Sequence, residues 1–217
     1  MSEIYLLSPT PKEGTVHLPM IRFEPIADRI DFGDADTLMF TSKKAVAFAD
    51  AIDPAWRRYD CLAVGEATAK AVEVHGGKVL YRPEAFYGET LAHDIVARFA
   101  DRKLLYLRPQ TVSFDAKTFL RNAGINVREQ IIYKTDCIAY EPDKAPPPGS
   151  IVVFTSPSTI HCFLRNFAWD ESYTAVVIGK ATRVHLPSNA RYEVAQKPLI
   201  TSCIAKAKEI LRNSNAK

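Results

Sequence analysis

One sequence pattern occurs twice in this chain of 217 residues, and this duplication constrains the fold more than any other feature. Residues 40–42 (FTS) recur as residues 154–156, and residues 64–68 (VGEAT) recur as residues 178–182 (IGKAT). Both pairs of segments are 114 positions apart, whereas the units of solenoid proteins have about 20–50 residues. The sequence therefore predicts two similar domains.

A third similarity indicates how the two domains share the chain. Residues 104–109 (LLYLRP) resemble residues 4–9 (IYLLSP), but the first of these follows its FTS and VGEAT segments and the second precedes both copies. We therefore predict that the first strand completes the C-terminal domain. Residues 1–18 and 143–217 are predicted to form one discontinuous α/β domain, and residues 27–130 an inserted α/β domain. Residues 19–26 and 131–142 are the predicted hinge strands.

Short apolar segments alternate with helical patterns along both halves of the chain. This alternation predicts two similar α/β domains, each with a parallel sheet that is covered on both faces. Strands are predicted at residues 37–41, 60–64, 79–81, 104–107, 151–155 and 175–178. Helices are predicted at residues 43–51, 67–74, 91–99, 114–122, 158–167 and 202–212, with a short helix from Ala181.

Two further segments, residues 16–26 and 127–141, alternate apolar and polar residues and connect the predicted domains. Such alternation is typical of extended strands. We therefore predict that the two segments pair side by side as a two-stranded β-ribbon, which acts as a hinge between the domains. Residues 213–217 at the end of the chain are expected to fray.

Composition and charge exclude several classes of protein. The chain has 28 Lys and Arg residues against 25 Asp and Glu residues, and a net charge of +3 is too small for a dedicated nucleic-acid-binding protein. No apolar run approaches the roughly 18 residues of a membrane span, and the first residues lack the pattern of a secretory signal. The four cysteines are scattered without a CxxC pair, so we expect reduced, buried thiols in a cytoplasmic protein.

The repeated segments lie where predicted strands end and helices begin, which is where open α/β sheets bind their ligands. At such positions backbone N–H groups point outward and the helix dipole favours an anion. Ser42 and Ser156 are candidate helix N-caps, and Gly65 and Gly179 allow a ligand to approach the backbone closely. Caps and turn glycines are also common structural devices, so both interpretations stay open. Together the two edges predict a cleft of neutral donors for a large, multiply anionic ligand.

Other residues indicate a site less specifically. Neither a dinucleotide-binding nor a phosphate-loop motif occurs, and the five histidines lack metal-binding spacing. Arg108, after a strand end, either binds a carboxylate or is a solvated surface residue, and Tyr87 either covers the cleft or packs. Tyr133 lies in the second crossing segment, where a phenol can donate a proton. From the residues alone, an aromatic pair with Phe23 is the preferred interpretation of Tyr133.

Five segments together carry a family resemblance: the FTS segment, the VGEAT turn, the LRP strand end, the GINV…IIYKT run and the second copy, FTSPS…VIGKAT. In this order they resemble the uroporphyrinogen-III synthase family over nearly the whole chain. The resemblance implies two α/β domains joined by a two-stranded β-ladder. It also implies a monomeric, cytoplasmic hydro-lyase of haem and sirohaem biosynthesis, which cyclises the linear tetrapyrrole hydroxymethylbilane to uroporphyrinogen III with inversion of ring D and loss of water.

The same resemblance implies that no metal or cofactor is needed. The small net charge and the lack of long apolar runs predict that neither nucleic acid nor a membrane is a partner. Transient contact with the preceding enzyme of the pathway is a further expectation. Tyr133 matches the family tyrosine that is proposed as the acid for loss of the substrate hydroxyl, which reverses its interpretation as a packing residue. The predicted substrate-binding residues are Thr41, Ser42, Lys43, Gly65, Thr68, Tyr87, Arg108, Ser156, Ser158, Gly179, Lys180 and Thr182.

The chain also departs from the family pattern near its start. Residues 10–17 are too few for the helix that the family usually carries there, and Ser8 stands where the family often has arginine. Lys12 or Arg108 would then supply the missing basic contact to the substrate.

A second function stays open: a two-domain protein that binds a polyanionic metabolite and closes about its hinge without catalysis. The lack of a conventional catalytic dyad favours this function, and the lack of an export signal argues against its usual periplasmic form. Incubation with hydroxymethylbilane, followed by isomer analysis, distinguishes the two functions.

Overall fold

The structure is a computed structural model, and it describes residues 3–84 and 87–215. The strands within these ranges are β1 (Ile4–Leu6), β2 (Val16–His17), β3 (Ile21–Pro25), β4 (Thr37–Phe40), β5 (Asp60–Ala63), β6 (Lys78–Tyr81), β7 (Leu104–Pro109), β8 (Val127–Cys137), β9 (Ile151–Phe154), β10 (Thr174–Val177) and β11 (Arg191–Val194). The helices are α1 (Lys43–Ile52), α2 (Glu66–Val74), α3 (Gly88–Arg98), α4 (Ala116–Asn122), α5 (Pro157–Asn166), α6 (Lys180–Arg183) and α7 (Ile200–Asn215).

The chain divides into two compact units. The inserted unit is Phe23–Thr135, and the discontinuous unit is Met1–Arg22 with Asp136–Lys217. Each contains an α/β sheet, as the sequence predicts. Helix α7 continues to Asn215, beyond its predicted end, so the expected fraying is wrong for residues 213–215. Residues 216 and 217, the rest of the segment that was expected to fray, lie outside the described residues.

Six strands form the sheet of the inserted unit, in the order β3-β8-β7-β4-β5-β6, and the pairs from β8 to β6 are parallel. Strand β4 is buried along its whole length. Its side chains alternate between two cores, since Phe40 packs in the cluster of Trp56 and Met39 packs in the cluster of Leu91. Burial on both faces explains the continuous apolar runs in the sequence. The carboxyl ends of β4 and β7 lie at the same edge of this sheet.

Five strands form the sheet of the discontinuous unit, in the order β11-β10-β9-β1-β2. Strand β1 pairs in parallel with β9, with Ile4 opposite Ile151 and Leu6 opposite Val153. This pairing confirms that the first strand belongs to the C-terminal sheet. Strand β11 is an addition, because its exposed residues gave no strand prediction.

The two segments that pass between the units differ from each other. Strand β8 is one extended strand, as predicted. The first segment, in contrast, divides into β2, which pairs with β1, and β3, which lies beside β8. The prediction of one continuous strand over residues 16–26 is therefore wrong, and the division falls near Pro19, whose nitrogen carries no hydrogen to donate to a ladder. The hinge itself stays a prediction.

The cysteines correct a second expectation. Cys137, at the end of β8, forms a disulfide with Cys162 in α5, so the prediction of four reduced thiols is wrong for this pair. The partners are 25 residues apart, and their scattered spacing gave no signal of pairing. Cys61 and Cys203 are free and buried, and burial raises the pKa of their thiols to about 12 and about 11. No membrane-spanning helix is found in residues 3–84 and 87–215, since every helix there is too short or too polar.

Candidate functional site

A pocket of about 360 Å³ opens at the carboxyl edge of the sheet in the inserted unit. The ends of β4, β7 and β8 and the start of α3 contribute to its wall, which matches the general position of ligand sites in parallel sheets. Its wall is rich in hydroxyl groups, from Thr41, Ser42, Tyr87, Tyr106, Thr111, Ser113, Tyr133 and Thr135. The pocket can therefore offer many neutral hydrogen-bond donors to one ligand.

Ser42 connects this pocket to helix α1. It is the N-cap of the helix, and its Oγ accepts a hydrogen bond from the backbone N–H of Lys44 at 3.1 Å. The same oxygen accepts a hydrogen bond from the phenol of Tyr133 at 3.3 Å. A hydroxyl has two acceptor positions and one proton. Both acceptor positions of Ser42 are thus used within the protein, and its proton is available to a ligand.

Tyr133 is held firmly at the base of the pocket. Only 3% of its surface is exposed, and its ring stacks on Phe48 and meets Phe23 edge-on at 6.0 Å. Burial raises the pKa of the phenol, and the hydrogen bond to Ser42 opposes this shift only in part. The phenol is therefore protonated at neutral pH. The structure confirms the aromatic contact with Phe23, and Tyr133 also lines the pocket. Its role as an acid stays a prediction.

Tyr106 is a pocket residue that the sequence analysis missed. Its hydroxyl lies 2.7 Å from Oγ1 of Thr41, and the residue is 2% exposed. Burial raises the pKa of this phenol as well. The sequence did contain a signal for this residue, because Tyr106 stands among the leucines of β7 and a buried tyrosine hydroxyl needs a hydrogen-bond partner.

Arg108 points to a different cavity, of about 630 Å³, and its guanidinium is already engaged. It donates to the carboxylate of Glu129 at 2.7 Å and to the carbonyl oxygens of Pro109 and Gln110. Lys117 contacts the same carboxylate at 2.9 Å. The Arg108 hydrogen bond lowers the pKa of Glu129. A ligand carboxylate at Arg108 would have to compete with this internal partner.

The remaining predicted residues of the inserted unit differ in exposure. Tyr87 is 71% exposed, precedes α3 and lines the pocket. Lys43 is exposed at the start of α1. Gly65 is the N-cap of α2, and its carbonyl accepts the N–H of Thr68, whose own side chain is buried. Gly65 and Thr68 therefore shape the strand-to-helix turn, while Tyr87 and Lys43 have accessible side chains.

The discontinuous unit repeats the same local structure. Ser156 caps α5 in a capping box with Thr159, as Ser42 caps α1. Gly179 caps α6 and accepts the N–H of Thr182, which is buried like Thr68. The sequence repeat thus corresponds to the same strand-to-helix turns in both units. Among its neighbours, Ser158 and Lys180 are exposed at the first turns of their helices.

Among the described residues, those that line the pocket include no His, Cys, Asp or Glu. Within the part of the chain that the structure describes, no group of three or more His, Cys, Asp or Glu residues is placed to hold a metal ion. The pocket presents hydroxyls instead, which suit hydrogen bonding to anionic oxygens and transfer of a proton from a phenol.

Comparisons with known proteins agree with this architecture. A model of the family described as "Uroporphyrinogen-III synthase HemD" matches residues 13–205. The "Porphyrin biosynthesis protein HemD" of Ruminiclostridium josui is 34% identical over 156 residues, which cover 68% of this chain and 31% of that protein. The chain thus spans about a third of the length of this curated relative.

Two solved structures share the fold. Uroporphyrinogen-III synthetase from Helicobacter pylori is 24% identical, has a TM-score of 0.82, and is matched over 97% of this chain and 100% of that one. A mutant uroporphyrinogen III synthase from Thermus thermophilus is 10% identical and has a TM-score of 0.59, with 98% and 100% of the two chains matched. The arrangement of strands and helices described above is thus one that solved proteins adopt.

Proposed function

Since the chain belongs to the uroporphyrinogen-III synthase HemD family, we propose that it cyclises hydroxymethylbilane to uroporphyrinogen III, with inversion of ring D and loss of water. The observation that carries this proposal is the hydroxyl-lined pocket of the inserted unit, with the buried, protonated phenol of Tyr133 at its base. The substrate is a linear tetrapyrrole with many carboxylates. Neutral donors can bind these groups without the strong attraction that would hold back the product.

The proposed reaction begins with loss of the substrate hydroxyl. Tyr133 gives its proton to the departing oxygen, directly or through Ser42, so that water leaves and an azafulvene cation remains. The substituted carbon of ring D attacks this cation and forms a spiro intermediate, which fragments and closes again with the ring inverted. The phenolate regains a proton when the last pyrrole carbon loses its own. The protein contributes mainly by folding the chain and by stabilising the developing charge.

The predicted substrate-binding residues form three groups. Thr41, Ser42 and Tyr87 line the same cavity as Tyr133 and are proposed to bind substrate oxygens there. The exposed side chains of Ser158 and Lys180 and the cap residues Ser156, Gly179 and Thr182 are proposed to bind substrate from the discontinuous unit. In the inserted unit, Lys43 is exposed next to the pocket residue Ser42, and Gly65 and Thr68 shape the turn before α2. Arg108 is the candidate for a basic contact to the substrate.

The proposal also includes the setting of the reaction. It needs no metal or cofactor, takes place in the cytoplasm, and allows a transient encounter with the enzyme that supplies the unstable substrate. The Cys137–Cys162 disulfide is unexpected in a reducing compartment, so the redox state of this pair bears directly on the location.

Incubation of the purified chain with hydroxymethylbilane tests the proposed function. The oxidised products are separated into isomers I and III, and a sample without protein measures the spontaneous ring closure, which gives isomer I. Excess isomer III is the expected result. Tight binding of the substrate with isomer I alone would contradict catalysis and support the binding function instead.

A further inference from the structure

Two buried phenols in the pocket are each paired with a neighbouring aliphatic hydroxyl. Tyr106 pairs with Thr41 at 2.7 Å, and Tyr133 pairs with Ser42 at 3.3 Å. The tyrosines are 2% and 3% exposed, whereas Thr41 and Ser42 are only partly buried. The proposed function uses the second pair. The first pair has the shorter distance, and in it only Thr41 has a proposed role, whereas Tyr106 has none.

The distance between the hydroxyl oxygens of Tyr106 and Thr41 fits either direction of the hydrogen bond. A phenol is a much stronger acid than an aliphatic alcohol, which favours the direction in which the phenol donates and the threonine oxygen accepts. Burial raises the pKa of Tyr106, which keeps the phenol protonated at neutral pH. When Oγ1 of Thr41 accepts this proton, the rotation of its hydroxyl is restricted. Its own proton then points away from Tyr106.

The two residues come from adjacent strands. Strand β4 ends at Phe40, directly before Thr41, and it pairs with β7, where Met39 lies opposite Tyr106. The phenol of Tyr106 thus extends along the sheet toward the end of the neighbouring strand. Phenylalanine would fill this part of the core without a hydroxyl to satisfy. The hydrogen bond to Thr41, a residue that lines the pocket, offsets the cost of burying the Tyr106 hydroxyl.

We propose that Tyr106 is a positioning residue, which orients the Thr41 hydroxyl so that its proton is donated to an oxygen of the substrate in the pocket. The inference rests on the proposed function and adds a second donor chain to the one formed by Tyr133 and Ser42. Consecutive hydrogen bonds polarise one another, so Thr41 is a stronger donor with Tyr106 behind it than alone. A substrate carboxylate and the departing hydroxyl are the acceptors of the right chemistry.

The test is a double-mutant cycle of Tyr106→Phe and Thr41→Val, with kcat and KM measured on hydroxymethylbilane. Loss of one neutral hydrogen bond corresponds to about a threefold to tenfold decrease in kcat/KM for Tyr106→Phe. Because Tyr106 acts through Thr41, the same substitution has no further effect in the Thr41→Val protein. Tyr81→Phe is the matched control, since its hydroxyl bonds Asp94 at 3.0 Å and lies outside the residues that line the pocket.

Three outcomes would overturn the inference, and they are distinguishable. Unchanged kinetics of Tyr106→Phe, with at most a lower Tm, would make Tyr106 a packing residue. If Tyr106→Phe lowers kcat/KM as much in the Thr41→Val protein as in the wild-type chain, Tyr106 acts independently of Thr41. A wild-type chain that makes no isomer III would remove the proposed function and this inference together, whereas the first two outcomes leave the proposed function intact.

Discussion

The ring of Tyr133 lies parallel to the ring of Phe48, with 4.8 Å between the centroids and 7° between the planes. Phe23 contacts the same ring edge-on, so the phenol is fixed on two sides. Its hydroxyl is therefore held beside Ser42 before any ligand arrives. A donor that is already in place needs little reorganisation when charge develops at a reacting atom.

Replacement of Tyr133 with phenylalanine keeps both ring contacts and removes only the hydroxyl. Since general acid catalysis contributes about 10²–10⁴-fold, we expect turnover to decrease within that range while folding is unchanged. Ring inversion should persist, because it depends on how the pocket folds the substrate. Steady-state turnover and isomer composition measure both effects, with Tyr81→Phe as the control. An unchanged rate would return the acid role to water or to a substrate carboxyl.

Glu129 should contribute to stability in a pH-dependent manner. Its hydrogen bond to Arg108 lowers the pKa of the carboxyl in the folded state. The contribution is therefore fully present above the ordinary pKa of about 4.3 and is lost as the pH falls through the lower folded value. Glu129→Gln should reduce the free energy of unfolding by about 1–3 kcal/mol at neutral pH.

Urea unfolding between about pH 2 and pH 7 measures this effect. The difference between the wild-type chain and Glu129→Gln should shrink as the solution becomes acidic. Glu73→Gln, at an exposed position of α2, serves as the control. Parallel stability curves for the wild-type chain and Glu129→Gln would contradict the assigned ion pair.

The Cys137–Cys162 disulfide should stabilise the chain by restricting its unfolded state. Closure of a loop of 25 residues corresponds to about 3.5 kcal/mol. The double variant Cys137→Ser, Cys162→Ser should lose this amount in urea unfolding and should be insensitive to reductant, whereas the wild-type chain is destabilised by it. Thiol titration after denaturation without reductant gives an independent measurement, and four reactive thiols in the wild-type chain would contradict the pairing.

The two units are predicted to rotate about the strands near Phe23 and Tyr133. Motion between domains is the usual expectation where only a few extended segments join them. Small-angle scattering should therefore change when uroporphyrinogen III binds. Curves that superpose with and without the product, and that fit one rigid arrangement, would count against rotation.

The sequence predicted the parts of the fold that depend on repeated local patterns. The apolar runs of β4 and β9, the helices after them and the membership of β1 in the second sheet all follow from the duplication and from burial on both faces. Strand β11 was not predicted, because it is a short edge strand with mostly exposed residues. Strand β2 lies within residues 16–26, which were predicted as one extended strand, and its separate pairing with β1 was missed.

The site was predicted less completely, because its contacts join residues that are far apart in the chain. Ser42 was selected from its position at a strand end and Tyr133 from the family resemblance, but the hydrogen bond between them spans 91 residues. Tyr106 was missed because a tyrosine in an apolar strand resembles any other core aromatic until Thr41 is found beside it. Arg108 could be placed at a strand end, while its pairing with Glu129 depends on the register of β7 against β8.

The pairing of β1 with β9 has a consequence for biosynthesis. Ile4 is synthesised before the inserted unit, but its partner Ile151 emerges only after the whole inserted unit has been made. Among the described strands of its sheet, β2 is the one neighbour of β1 that has been made by then. The inserted unit, in contrast, is complete once Thr135 has emerged, and domains generally fold as units during synthesis. The inserted unit can thus fold before the sheet that contains β1 and β9 is complete.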